Sequence, residues 1–298
     1  MQEVVIVTPI YKSDLSESEQ ISINHLRCYC AHFPKVIIHP LGLKFNFDTS
    51  DFIKIPLSPR HFKNIDSYSR MCLNPRFYRL FSEYRYMLIY QLDAYVFKDE
   101  LGYWCQQNYS YIGGPWIKTT TFSRLVRSFN RRMQKWRWRV RLNIALRYRG
   151  TGANGGFCLR NIEHCRQVLE AKTIHWSKVV KFWQWAFHDK RKFMGQLFLA
   201  YWRAKKTGRS VGAHMRRICT AAEDYYFCQN GSLLNKNFIV APPAVAGRFS
   251  MERENFEVTW DLNGGQMPFG AHGCFRTETD QWIKHFDFIG LGAGGSQR

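Results

Sequence analysis

Several absences bound this 298-residue chain before anything in it is read. No apolar run approaches the ~20 residues that carry a helix across a bilayer, so a helical membrane span is excluded. The start shows no charged stretch leading into an apolar one, so no secretory leader is expected. Nine cysteines lack any framework spacing, and Cys28 and Cys30, with one residue between them, make a poor zinc clip. A reducing cytoplasm fits such cysteines better than a disulfide scaffold does. The scarcest commodity is acid in the middle of the chain. Residues 101–222 hold 25 of the 43 Lys and Arg but only Glu163, Glu170 and Asp189 as acids, while the remainder is nearly neutral, 18 basic against 20 acidic. The formal charge of +20 therefore belongs to one section. Such a surface calls for an anionic partner: nucleic acid, an acidic membrane or a phosphate-bearing substrate.

A hydrophobic content of 45%, with 16% aromatic, is that of a folded globule with a large core. Residues 3–9 (EVVIVTP) read as a first strand ending in a proline loop, and residues 15–32 as a helix that Ser16 and Glu19 open as a capping box. Strands are expected at 35–39, 52–56, 86–90 and 109–113, the last closed by Gly114, Pro115 and Trp116, with a helix over 74–84. Strands alternating with helices predict an α/β architecture around a largely parallel sheet. In the basic middle, Leu125, Phe129, Met133, Trp136, Val140 and Ile144 recur at helical intervals among Arg127, Arg131, Lys135 and Arg139. That stripe predicts an interfacial helix on an anionic leaflet. A second basic aromatic segment, 172–217, repeats the mixture. The tail 291–298 is expected to be flexible.

Candidate chemistry lies at four places. The apolar run 86–90 delivers Asp93 to the end of a strand, where open α/β sheets gather ligands. Asp93 there suggests a metal ion holding a phosphorylated ligand. Residues 151–160 (TGANGGFCLR) carry glycines 152, 155 and 156, which permit close approach of a ligand before the run becomes strand-like; this is neither a Walker loop nor a dinucleotide fingerprint. Glu223 and Asp224 open a helix-like run, where acids favour the helix dipole and one can serve as a general base. His272 is expected in a loop with little local structure. With Asp93 and diphosphate oxygens it would suit Mn²⁺.

The order of these features, residues 8–11 (TPIY), 90–95 (YQLDAY), 109–116 (YSYIGGPW), 152–160 (GANGGFCLR), 223–224 and 268–272 (PFGAH), resembles a bacterial family of GT-A-type glycosyltransferases met in O-antigen and capsular polysaccharide clusters. The resemblance spans about residues 4–285. It implies one GT-A-like domain over 1–298: a nucleotide-sugar part near 1–117, a basic helical insertion at 118–149, and an acceptor-side part at 150–290. It implies a nucleotide-sugar donor, a UDP-sugar first, and Mn²⁺ or Mg²⁺ held by Asp93 and His272. Gln91 stands where the first acid of the family's metal motif is often found. Thr8, Pro9, Tyr11, Gln91 and Asp93 would contact the donor, with Lys63 and Arg70 as extra phosphate contacts. Asn154, Gly155, Gly156 and Trp116 would hold sugars. Asp224 would be the base of an inverting transfer, with Glu223 as its alternate. The acceptor implied is a polyprenyl-diphosphate-linked glycan, and the expected location is the cytoplasmic face of the bacterial inner membrane, alongside other polysaccharide-synthesis enzymes. A nucleic-acid-binding protein would explain the basic middle but leave Asp93, the acid pair and His272 idle. An inactive transferase-like scaffold would be consistent with Gln91.

Overall fold

In the first strand, β1 (Gln2–Pro9), six consecutive residues from Val4 are buried. A strand that is apolar on both faces must be covered on both faces. Here it is: Val5 and Val7 point into one hydrophobic cluster, Val4 and Ile6 into another. β4 (Tyr84–Tyr90) repeats the division, Met87 and Ile89 against Tyr86, Leu88 and Tyr90. The computed structural model describes residues 2–115, 153–175, 190–218, 222–252, 256–275 and 282. Trp116, the 118–149 insertion with Arg127, Arg131, Lys135, Trp136 and Arg139, and the tail 291–298 lie outside the described residues.

Six strands form the main sheet in the order β3-β2-β1-β4-β7-β6, with β2 (Lys35–Pro40), β3 (Ile53–Leu57), β6 (Tyr111–Pro115) and β7 (Ala153–Asn161). The first four are parallel; β7 runs antiparallel to both β4 and β6. The expected α/β architecture with a mostly parallel central sheet is therefore present. A second sheet of three short strands, β5-β9-β8, comprises β5 (Ala94–Val96), β8 (Ser250–Glu252) and β9 (Gly270–His272).

One face of the main sheet is covered by α2 (Ile65–Cys72), α3 (Pro75–Arg79), α5 (Ile162–Glu170), α6 (Lys190–Thr207), α7 (Val211–Ile218) and α8 (Glu223–Leu234), which contribute to the first cluster. The other is covered by α1 (Glu17–Tyr29), α4 (Leu101–Gln106) and α9 (Pro243–Phe249). A third cluster, with Tyr95, Met251 and Ala271, lies along the small sheet, joined by Phe256 from α10 (Phe256–Leu262). Among the described residues no helix is long and apolar enough to cross a membrane.

Several expected boundaries shift. The Ser16–Glu19 capping box is present, but α1 ends at Tyr29. The single helix expected over 74–84 is five residues long; α2 precedes it, since Asn64 caps one helix and Asn74 starts another before Pro75. β6 runs through Pro115 rather than closing at Gly113. His272 sits on a strand, not in a loop. Pairing with β5 and β8 orders a stretch whose local composition carries no strand pattern.

Candidate active site

Asp93 lies just past β4, in the turn that leads into β5. The turn is pinned by backbone: the Gln91 amide donates to the Gly156 carbonyl at 2.9 Å, and the Gly273 amide to the Asp93 carbonyl at 2.7 Å. The small sheet then sets the side chains. Its register places Ala94 and Glu252 on either side of His272, so all three share one face. His272 Nε2 stands 3.2 Å from Asp93 Oδ1, and Nδ1 stands 3.1 Å from Glu252 Oε2. Asn154 Nδ2 donates to the same Glu252 oxygen at 2.9 Å. Burial works to push the imidazole pKa down, but Glu252 and Asp93 outweigh it and lift it to about 10. The two carboxylates thus make this end of the small sheet a place that favours positive charge.

The glycines of β7 divide the site in two. Between Gly113 and Pro115 the pairing with β7 slips, so residues 154–157 bulge out of register. The bulge is held by the Gly156 amide donating to Asn154 Oδ1 at 2.6 Å. A Cβ built on Gly156 would stand 2.1 Å from His272 Nε2; one on Gly155 would meet Glu223 Oε1 at 2.8 Å and Asp224 Oδ2 at 3.3 Å. Two glycines are needed because ionisable groups crowd the backbone from both sides. One side holds Asp93, His272 and Glu252, the other the acid pair.

The acid pair is not a pair of equals. Glu223 is buried, and Arg160 Nη2 donates to its Oε1 at 3.1 Å while Ser69 Oγ donates to its Oε2 at 2.7 Å. Arg160 is itself fully buried; its other donors reach the Tyr78 hydroxyl (3.2 Å) and Cys158 Sγ (3.1 Å), and its carbon lies 5.3 Å from the Tyr111 ring. Asp224 is half-buried at the head of α8 and accepts from the Gly155 amide at 3.1 Å. Burial and then the Glu223 charge raise its pKa to about 7, although Arg160 and the Tyr225 and Gly155 amides pull the other way. Glu223 is thus engaged by Arg160 and Ser69, whereas Asp224 is the member of the pair whose pKa is lifted to about 7.

The remaining expected residues scatter. Thr8 and Pro9 are buried at the end of β1, whereas Tyr11 is 64% exposed. Lys63 and Arg70 are exposed. Gln91 contributes its backbone to the Asp93 turn. Glu252, Arg160 and Ser69 were not expected. Nothing local marks Glu252, while Arg160 carried one signal: an arginine placed directly after the apolar run of a strand.

Among solved structures, similarity is recorded to the galactosyltransferase LgtC in complex with donor and acceptor sugar analogues (13% identity, 91% of this chain and 87% of that one, TM-score 0.41). Others are mouse xyloside xylosyltransferase 1 in its apo form (12%, 92% and 99%, 0.43) and the bifunctional glycosyltransferase WbbM (12%, 91% and 45%, 0.42). No curated protein matches the sequence. Residues 52–272 match a family described only as a protein of unknown function, DUF5672, and that span includes Asp93, Asn154, Arg160, the acid pair, Glu252 and His272. The chain belongs to the DUF5672 family.

Proposed function

We propose that the protein is a GT-A-type glycosyltransferase that moves a sugar from a nucleoside-diphosphate donor to an acceptor hydroxyl, with inversion. One observation carries this reading: Gly155 and Gly156 hold a proton-accepting carboxylate and a carboxylate–histidine pair on opposite sides of the same short stretch of backbone. Displacement at a sugar carbon needs both. A base accepts the proton of the incoming hydroxyl, and positive charge must meet the departing diphosphate.

Asp93 and His272 are the residues that would hold a divalent cation. Their mixed oxygen and nitrogen donors suit Mn²⁺, and Glu252 on Nδ1 would keep the histidine ring aimed. Among the described residues no three His, Cys, Asp or Glu are grouped so as to hold an ion by themselves, so diphosphate and water would complete the coordination. Such an ion would neutralise charge on the diphosphate as it leaves. Asp224 takes the acceptor proton, the acceptor oxygen bonds to the anomeric carbon, and the bond to the donor's diphosphate oxygen breaks with its electron pair. Asn154 and the Gly155–Gly156 backbone lie between the two poles, where sugar hydroxyls would sit.

Calorimetry with UDP, GDP and CMP, with and without Mn²⁺, tests this on the wild type and on Asp93→Ala. Metal-dependent binding of one nucleotide, lost in the variant, is expected. No binding to any of them refutes the transferase reading.

A further inference from the structure

Helix α6 buries one side and leaves the other in solvent. Leu197, Ala200 and Ala204 enter the first hydrophobic cluster. Opposite them, Phe198, Leu199 and Trp202 are 57%, 43% and 52% exposed, and the same helical row continues through Lys205 and Lys206, with the exposed Arg209 two residues past the helix end. The other large apolar side chains exposed among the described residues lie singly along the chain. Isolated exposed hydrophobics are ordinary, whereas three within five positions form a patch. Residues 190–218 carry nine Lys and Arg and no Asp or Glu, so no carboxylate within the segment offsets the patch's charge.

We propose that this stripe of α6 docks on an anionic lipid bilayer, with Phe198, Leu199 and Trp202 entering the headgroup zone and Lys205, Lys206 and Arg209 meeting lipid phosphates and carboxylates. The charge is complementary to such a surface, and aromatic and aliphatic side chains beside lysines are the composition that interfacial helices use. The ring geometry argues against nucleic acid as the occupant. Phe198 meets Trp202 at 62°, so the two rings do not form parallel platforms, and Lys205 Nζ lies 5.8 Å from the Trp202 centroid, over the face a base would need. Leu199 gains from hydrocarbon and has nothing to offer a base. Docking is independent of the transferase chemistry.

Co-sedimentation with phosphatidylcholine vesicles, with and without phosphatidylserine, tests the stripe without reading any activity. The full chain should pellet with the anionic vesicles and not with the neutral ones. Lys205→Glu/Lys206→Glu should lower partitioning by about thirtyfold or more, the contribution of two cations near a charged surface. Phe198→Ser/Trp202→Ser should lower it by at least about tenfold through lost apolar burial. All four residues are exposed, and thermal melts matching the wild type would confirm that the variants fold. Wild-type indifference to phosphatidylserine overturns the proposal, as does wild-type-like partitioning of either variant. Tighter binding of a short single-stranded oligonucleotide than of the vesicles also overturns it, assigning the stripe to nucleic acid.

Discussion

Replacing Glu223 by Gln should lower the Asp224 pKa by about two units while leaving its hydrogen bonds in place. The magnitude follows from the Gly155 position. A point 2.8 Å from Glu223 Oε1 is 3.3 Å from Asp224 Oδ2, so the two oxygens are separated by no more than about 6 Å. Two charges at that distance, in an effective dielectric constant of about 20, interact by roughly 3 kcal/mol, or about two pKa units. Asp224, now at about 7, would move toward about 5. A base works only when deprotonated, so the acid limb of any pH–rate profile should move down by the same amount. The carboxyl carbon of Asp224 reports the shift without a substrate, by ¹³C NMR titration assigned against Asp224→Asn. The substitution leaves Arg160 charged in a dry site, at a cost of about 3–5 kcal/mol, so Arg160→Met/Glu223→Gln, which removes both charges, is the companion variant. Because Glu223 raises the pKa more than Arg160 lowers it, the double variant should fall between wild type and Glu223→Gln. An Asp224 pKa that stays within half a unit of wild type, or rises, in Glu223→Gln would refute the electrostatic account. Two neighbours set the limits of that account. From β6, Tyr111 faces the same charges, and burial pushes its pKa well up, so it stays neutral throughout. On α7, Arg216 is turned away to the Leu169 carbonyl.

Three further outcomes are expected. Glu252→Gln should weaken Mn²⁺ binding about 10- to 100-fold, measured by electron paramagnetic resonance, because the second carboxylate orients the His272 ring; unchanged affinity would remove Glu252 from the site. Gly156→Ala should abolish metal-dependent nucleotide binding in calorimetry while the protein still melts cooperatively, since the added methyl group displaces His272 at the cost of about 1–3 kcal/mol. Asp224→Asn should become relatively more stabilising as pH rises. The folded pKa lies above the unfolded one, so the native state loses stability as pH climbs from about 4 through about 7. After discounting for its partial exposure, urea melts at pH 8 and pH 4 should differ by about 2 kcal/mol in the effect of the substitution; equal effects at both pH values would mean that Asp224 is not perturbed.

The centre of the sheet was legible because β1 and β4 carry apolar runs buried on both faces, and such runs announce an α/β layer. Asp93 was legible for the same reason, as the first carboxylate after such a run. The capping box at Ser16 and Glu19 specifies a helix start through bonds made within four residues. Helix α2 was missed because its start is signalled by Asn64 and Ser67, a capping pair outside the usual acidic pattern.

What the chain's local chemistry determined, then, is the parallel core, the acid after β4, the glycines of β7 and the acids at the head of α8. Only the tertiary structure decided which of these meet. Glu252 reaches His272 through strand pairing between segments 20 residues apart, and Arg160 reaches Glu223 across 63 residues. The different surroundings of Glu223 and Asp224 follow in part from that second contact. Two adjacent carboxylates are equivalent in a sequence; in the fold a buried guanidinium engages the first, while burial and the neighbouring Glu223 charge lift the pKa of the second to about 7.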